Sequence, residues 1–229
     1  MTQLLAKSDV CVLIPAYNEE KRIGPVIDAV RKHDFVVVAV DDGSKDGTAN
    51  VIRHSGAQCV VSPVNEGKGA AIRKGFDWVL KSRFQAVIVV DADGQHDPAE
   101  LDSFVAALAA GDADLVLGNR MHDPKGMSFI RRLTNRGMSF IISSVAGQRV
   151  PDTQCGYRAF TRKALEKMAL KTDRFEIESE MILSAGRSGL RMKSIPITSV
   201  YRDEVSRIRP VRDTYRFFKF LVRFIISQK

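Results

Sequence analysis

Asp91, Asp93, Gln95 and His96 lie within six positions of the stretch "VVDADGQHDP", Val89 to Pro98. Asp91 and Asp93 leave an apolar run two residues apart. Alternate residues leaving a strand project to the same side, so both carboxylates are expected to aim at one point with Ala92 turned away. That arrangement suits a hard divalent cation, Mg2+ or Mn2+, which takes oxygen ligands, uses few protein carboxylates and completes its shell with substrate phosphates. Such an ion would offset the repulsion within the cluster and stabilise charge developing on a departing diphosphate. Gln95 offers a neutral amide oxygen as a further ligand. His96 suits a capping or hydrogen-bonding role better, imidazole being a poor ligand for magnesium. The plainer alternative is that these aspartates only cap a turn and the next helix.

The elements that must hold this cluster are legible from apolar pattern. Val10–Ile14, Val36–Val40, Gln58–Ser62, Ala86–Val90 and Leu115–Gly118 read as short buried strands. Between them Lys21–Lys32, Gly47–His54, Gly69–Leu80 and Pro98–Ala110 read as helices, the last with Asp97 as N-cap and Pro98 in its first turn. Alternating strands and helices of this length predict an α/β fold with a mostly parallel sheet, whose ligands sit at the carboxyl ends of the strands. Polar loops follow those ends: "PAYNEE", "DDGSKDG", "NEGKGAA", "DADGQHD" and "NRMHDP". Beyond residue 121 the alternation gives way to a helix at Phe129–Val145, a polar loop "GQRVPDTQCGYR", a helix at Glu176–Arg187, a strand Met192–Val200 and a last helix from about Val211.

Composition narrows the classes. A 229-residue chain that is 45% hydrophobic can bury one substantial core. Cys11, Cys59 and Cys155 are odd in number and in no CxxC arrangement, against a disulfide framework and against a zinc site. No apolar run reaches the ~18 residues of a membrane span and the N-terminus lacks a secretory pattern, so a cytoplasmic location is expected. Residues 1–120 hold 13 Lys/Arg against 17 Asp/Glu, whereas residues 121–229 hold 22 against 10. The second half should therefore meet something anionic. "GKGAAI" places Ile72 where G-x-G-x-x-G needs its last glycine, and no P-loop pattern occurs, which argues against a dinucleotide dehydrogenase or a P-loop enzyme.

In order, "VLIPAYNEE", "DDGSKDGT", "NEGKGAAIRKGF", "DADGQHDP" and "GNR" resemble the motifs of family 2 glycosyltransferases over the first 120 residues. The resemblance implies the type A glycosyltransferase fold, a nucleotide-diphosphate sugar and a divalent metal held by Asp91, Asp93 and Gln95. It implies that Pro15, Ala16, Tyr17, Glu19, Val40, Asp42, Asp91, Ala92, Asp93 and Arg120 line the nucleotide sugar, with Asp42 on the base. Lys68 is either a ribose or phosphate contact or a solvated lysine. "VPDTQCGYRAFTRKAL", "RFEIESEMIL" and "YRDEVSRI" are similar to dolichyl-phosphate glucose and mannose synthases, which move a sugar to a polyprenyl phosphate with inversion at the anomeric carbon. That likeness makes Asp93, Arg120, Asp152 and Arg202 the expected catalytic group. Ser206, Arg207, Arg131 and Arg132 are expected on the acceptor phosphate, although "YRDEVSRI" has Ser-Arg where the mannose synthases carry Ser-Lys. UDP is preferred over GDP.

A phosphate monoester, with its second pKa near ~6, is already an oxyanion at neutral pH and needs positive charge rather than a strong base. A sugar hydroxyl acceptor would need a carboxylate base, and Asp152 is then the candidate. Of Glu178 and Glu180 only one can point into the site, and Glu180 is the expected one. In "VRDTYRFFKFLVRFIISQK", Arg212, Arg216, Lys219 and Arg223 form one stripe, opposite Phe217, Phe218, Leu221, Phe224 and Ile225. Such a helix can lie in a headgroup layer, as can Phe129–Val145 with Arg131, Arg132 and Arg136; core packing or a dimer contact explains either apolar face as well. The expected organisation is a catalytic domain over 1–209, with a nucleotide-sugar half (1–120) and an acceptor half (121–209), followed by an amphipathic helix over 210–229. The expected partners are a nucleotide sugar, a polyprenyl phosphate and the cytoplasmic membrane face, with no nucleic acid.

Overall fold

A computed structural model describes residues 5–198 and 210–226. Seven strands form one sheet in the order β3-β2-β1-β4-β6-β5-β7. They are β1 (Val10–Ala16), β2 (Val36–Asp41), β3 (Gln58–Val61), β4 (Ala86–Val89), β5 (Leu115–Asn119), β6 (Arg158–Thr161) and β7 (Met192–Pro196). All neighbours run parallel except β6, which lies antiparallel between β4 and β5 with Val87 opposite Phe160 and Leu115 opposite that same Phe160. β1 and β4 sit centrally and are buried on both faces, which is why their sequences are unbroken apolar runs rather than alternating ones.

One face carries α1 (Ile23–Arg31), α2 (Thr48–His54) and α4 (Leu101–Ala109), packed through Ile27, Ile52, Phe104 and Leu108 onto Val12, Ile14, Val37 and Ile88. The other carries α3 (Lys68–Leu80), α5 (Phe129–Ala146), α6 (Arg162–Lys167), α7 (Ile177–Arg187) and α8 (Pro210–Ile226), packed through Ile72, Phe76, Ile142, Ile182 and Phe217 onto Leu13, Val38, Val87 and Leu117. Each fully buried Leu, Ile or Phe contributes about 1.5–3 kcal/mol.

Asp97 accepts a hydrogen bond from the Ala99 amide at 2.9 Å and opens a 3-10 turn, Pro98–Glu100, that leads into α4. The expected last strand stops at Pro196 within the described residues, and β6 and α6 come as additions. Burial pushes the thiols of Cys11 and Cys155 up to about 12, so both behave as core hydrophobes.

Candidate active site

The carboxyl ends of β1, β2, β4 and β5 converge with the loop 151–157 and the first turn of α7. The loops after β1 and β2 are stitched together. Asn18, in the left-handed region at φ 53°, donates its amide to Ser44 Oγ and accepts from the Lys45 amide; the Glu19 amide donates to Thr48 Oγ1. Pro15 and Ala16 close β1 in buried positions, while Tyr17 and Glu19 are half-buried above them, Glu19 within 3.3 Å of Arg22.

Asp42 is buried and accepts from the Glu66 and Gly67 amides at 3.1 and 2.7 Å, so it braces the loop that launches α3. Gly67 stands at φ 110°, and a Cβ there would strike the Asp173 carbonyl; that close approach explains the glycines of "NEGKG". Val40, at the carboxyl end of β2, reaches the site through its backbone rather than its side chain. Its side chain is fully buried beside Leu13 and Ala71, because its position in β2 turns it toward α3, leaving only its backbone for a ligand. Ala92 is packed in the opposite core layer.

Lys68, the first residue of α3, bridges Asp91 Oδ1 and Glu178 Oε1 at 2.7 Å each. Burial would lower the Lys68 pKa, but the two carboxylates hold it above the ordinary lysine range. Burial would likewise raise Asp91, yet Lys68, with His96 behind it, keeps that carboxyl far below the usual range. His96 Nε2 lies 3.8 Å from Asp91 Oδ2 and its ring leans on Tyr157; its Nδ1 is buried with no partner among the described residues. Gly156 packs so tightly that a Cβ would collide with the Asp91 carboxylate.

β4 ends at Val89, so strand alternation does not carry through to Asp93. Instead Gly94 adopts φ 73° and Asp93 Oδ1 accepts from the Gln95 amide at 3.0 Å, while Asp91 is held by Lys68. Among the described residues no three His, Cys, Asp or Glu side chains converge to hold a metal. An ion here would draw on Asp91, Asp93 and the Gln95 amide and take its remaining ligands from phosphate, a donor set of hard oxygens that fits magnesium or manganese.

Arg120 and Asp152 form the second cluster. Asp152 is buried and accepts five hydrogen bonds: Arg120 N, Nε and Nη2 at 3.1, 2.8 and 3.0 Å, Asn135 Nδ2 at 2.8 Å and Gln154 N at 3.2 Å. A carboxylate offers about four lone-pair directions, so its accepting capacity is used up. Burial raises its pKa, but the Arg120 guanidinium and Asn135 outweigh burial and the net shift is downward. Arg120 in turn lines a cleft of about 240 Å³ with Glu100, His122, Lys125 and Thr198. A hollow of about 410 Å³ between α1 and α2 contains none of the sequence-predicted residues.

Arg131 and Arg132 lie in the first turn of α5, Arg131 exposed and Arg132 half-buried, its Nε buried with no hydrogen-bond partner among the described residues. Arg202, Ser206 and Arg207 lie outside the described residues. Glu180 is not the acid that faces the site: it caps the Lys171 and Thr172 amides and the Thr172 hydroxyl at 2.9, 2.9 and 2.6 Å, and Glu178 is the one on Lys68. Sequence reasoning also passed over Arg158 and Asn135. Arg158, wholly buried in β6, donates to the carbonyls of Thr153, Cys155 and Glu178, tying the 151–157 loop to α7.

On α8, Phe217 and Leu221 are buried in the core, whereas Val222, Ile225 and Ile226 are exposed. Core packing, the alternative to a headgroup layer, therefore accounts for Phe217 and Leu221.

Residues 11–169 match the model of glycosyl transferase family 2. The chain is 33% identical over 219 residues to glycosyltransferase AglJ of Haloferax volcanii, covering 93% of this chain and 71% of that one. It is 28% identical over 222 residues to a UDP-N-acetylglucosamine–dolichyl-phosphate N-acetylglucosaminyltransferase of Methanococcus voltae, covering 87% and 88%. Glucosyl-3-phosphoglycerate synthase of Mycobacterium tuberculosis, solved with Mn2+, UDP and glucosyl-3-phosphoglycerate, superposes with a TM-score of 0.71 at 20% identity, over 97% of this chain and 80% of that one, a likeness of fold. With its strand order, its acidic tip after β4 and this match over most of its length, the chain belongs to the family 2 glycosyltransferases.

Proposed function

We propose that this glycosyltransferase moves a sugar from a nucleotide diphosphate, UDP in preference to GDP, to a polyprenyl phosphate at a membrane surface, with Mg2+ or Mn2+. The carrying observation is the state of Asp152. Its lone pairs are engaged by five donors and its pKa is lowered, so it is unsuited to take a proton from a hydroxyl acceptor. A phosphate acceptor removes that requirement, being ionised already near pH ~6.

One phosphate oxygen attacks the anomeric carbon as its bond to the diphosphate oxygen breaks, and the nucleotide diphosphate leaves with that electron pair, giving inversion. A divalent ion, when bound, would supply positive charge to the departing diphosphate. Asp91, Asp93 and Gln95 would hold it; Pro15, Ala16, Tyr17, Glu19 and Asp42 shape the nucleotide pocket; Arg120 and Arg132, with Arg202, Ser206 and Arg207, supply the polar and cationic grip on the acceptor. Asp152 serves as a positioning residue that fixes Arg120. The names of the archaeal relatives and the UDP and Mn2+ in the structural neighbour support this assignment.

The test is a panel of UDP- and GDP-sugars with undecaprenyl and dolichyl phosphate, assayed for lipid-linked sugar with and without Mn2+. Metal-dependent transfer to a prenyl phosphate is expected. Transfer only to hydroxyl acceptors would overturn the acceptor assignment, and transfer undiminished by chelator would overturn the metal.

A further inference from the structure

The helix α5 is built inside out over its first three turns. Its buried positions are Asn135 and Ser139, joined further on by Ile142 and Ala146. Its outward positions are Phe129, Ile130, Leu133 and Phe140, which are 72%, 77%, 63% and 75% exposed. At ~100° per residue, Phe129, Leu133, Arg136 and Phe140 fall within about 60° of one another, and the centre of that stripe lies roughly 90–130° around the helix from the buried Asn135 and Ser139. A water-facing helix of a soluble protein shows the reverse pattern, and a contiguous apolar patch of this kind marks an interaction surface.

Charge selects the occupant. From Pro124 to Pro151 the chain carries Lys125, Arg131, Arg132, Arg136 and Arg149 and no Asp or Glu. A second copy of this chain meeting the patch about a twofold axis would set these cations against their own counterparts. An anionic headgroup layer would instead neutralise them while the four apolar side chains enter the acyl boundary.

We infer that the exposed face of α5 is the lipid-docking surface of this enzyme, seating the catalytic domain on anionic membrane. The placement is mechanically apt. Asn135, on the inward side of this helix, touches Asp152, which holds Arg120, so a bilayer against the outer face lies about one helix diameter, ~10 Å, from the second cationic cluster. The inference draws its purpose from the proposed lipid acceptor, but its test does not depend on that acceptor.

The experiment is flotation of the full chain with phosphatidylcholine vesicles, with and without phosphatidylglycerol at about a third of the lipid, and free of any prenyl lipid. Expected is flotation with the anionic vesicles, reduced by high salt. The double variant Phe129→Ser, Phe140→Ser should lose at least ~10-fold of the bound fraction, while melting like the wild type and transferring sugar to a short, water-soluble prenyl phosphate at an unchanged rate. A wild type that does not float, or a double variant that floats equally well, overturns the inference. So does light scattering that shows a dimer converted to monomer by the double variant, which assigns the face to a second copy. Retained vesicle binding without transfer to any prenyl phosphate would sink the proposed function and leave the docking surface standing.

Discussion

Asp91 and Asp152 are both paired carboxylates near the ends of neighbouring strands, yet their surroundings differ in kind. Asp91 keeps 23% of its side chain exposed and shares a single Lys68 ammonium with Glu178. Asp152 has none of its side chain exposed and is gripped by a forked guanidinium, an amide and two backbone N–H groups. Lysine is a compact charge on a flexible stem that can be re-aimed, whereas the arginine fork holds one geometry. The first cluster is suited to exchange partners when a ligand arrives; the second is suited to stay fixed.

That contrast can be broken by substitution. The largest expected effect is on turnover: Asp93→Ala, next to the exchangeable cluster, should lower metal-dependent transfer by at least ~100-fold, the scale for removing one stabiliser of developing charge, with little change in melting temperature. Activity within a few-fold of wild type would remove the metal from the acidic tip. Stability should show the reverse ranking. Asp152→Ala removes the carboxylate that pairs with the buried Arg120 guanidinium and should cost about 3–5 kcal/mol in urea unfolding. Asp91→Ala leaves Lys68 its Glu178 partner and should cost only about 1–2 kcal/mol. Equal losses would erase the distinction.

Glu178→Gln and Glu180→Gln sharpen it further. The first should reduce turnover roughly 10-fold by letting Lys68 pull harder on Asp91, a perturbation on the scale of an outer-shell partner. The second should act on stability, by about 1–3 kcal/mol, through the uncapped Lys171 and Thr172 amides. The smallest effect is that of pH on stability. Both aspartates have folded pKa values below their unfolded ones, so their contribution is whole above about pH 4 and is lost as pH falls through the folded values. Lys68 is shifted upward, so its share is whole below about pH 10 and is lost only at higher pH. Urea midpoints should therefore be nearly flat from pH 5 to pH 9 as far as these groups are concerned.

The first five strands were legible because each is a short apolar run with a polar loop after it. β6 was not: its four residues include Arg158, and a charge in a short segment reads as loop until the carbonyls of Thr153, Cys155 and Glu178 are seen to receive it. The positions of Asp91–Gln95 just after β4 and of Arg120 just after β5 were legible from the apolar runs that precede them. The choice of Glu178 over Glu180 did not, since it depends on Lys68, 110 residues away. The saturation of Asp152 depends on Asn135 in the same way, through a contact no local pattern announces. α5 and α8 look alike as amphipathic stripes, and only packing shows that Phe217 and Leu221 of α8 are covered while Phe129 and Phe140 of α5 are not.

The most direct measurement is the pH dependence of kcat/KM for Asp152→Asn with a prenyl-phosphate acceptor, beside the wild type. If Asp152 only fixes Arg120, the variant is slower and its acceptor KM is higher, but the rate still climbs with the ionisation of the acceptor near pH ~6. Loss of that rising limb, with nucleotide-sugar binding intact, would make Asp152 the base and contradict the phosphate acceptor.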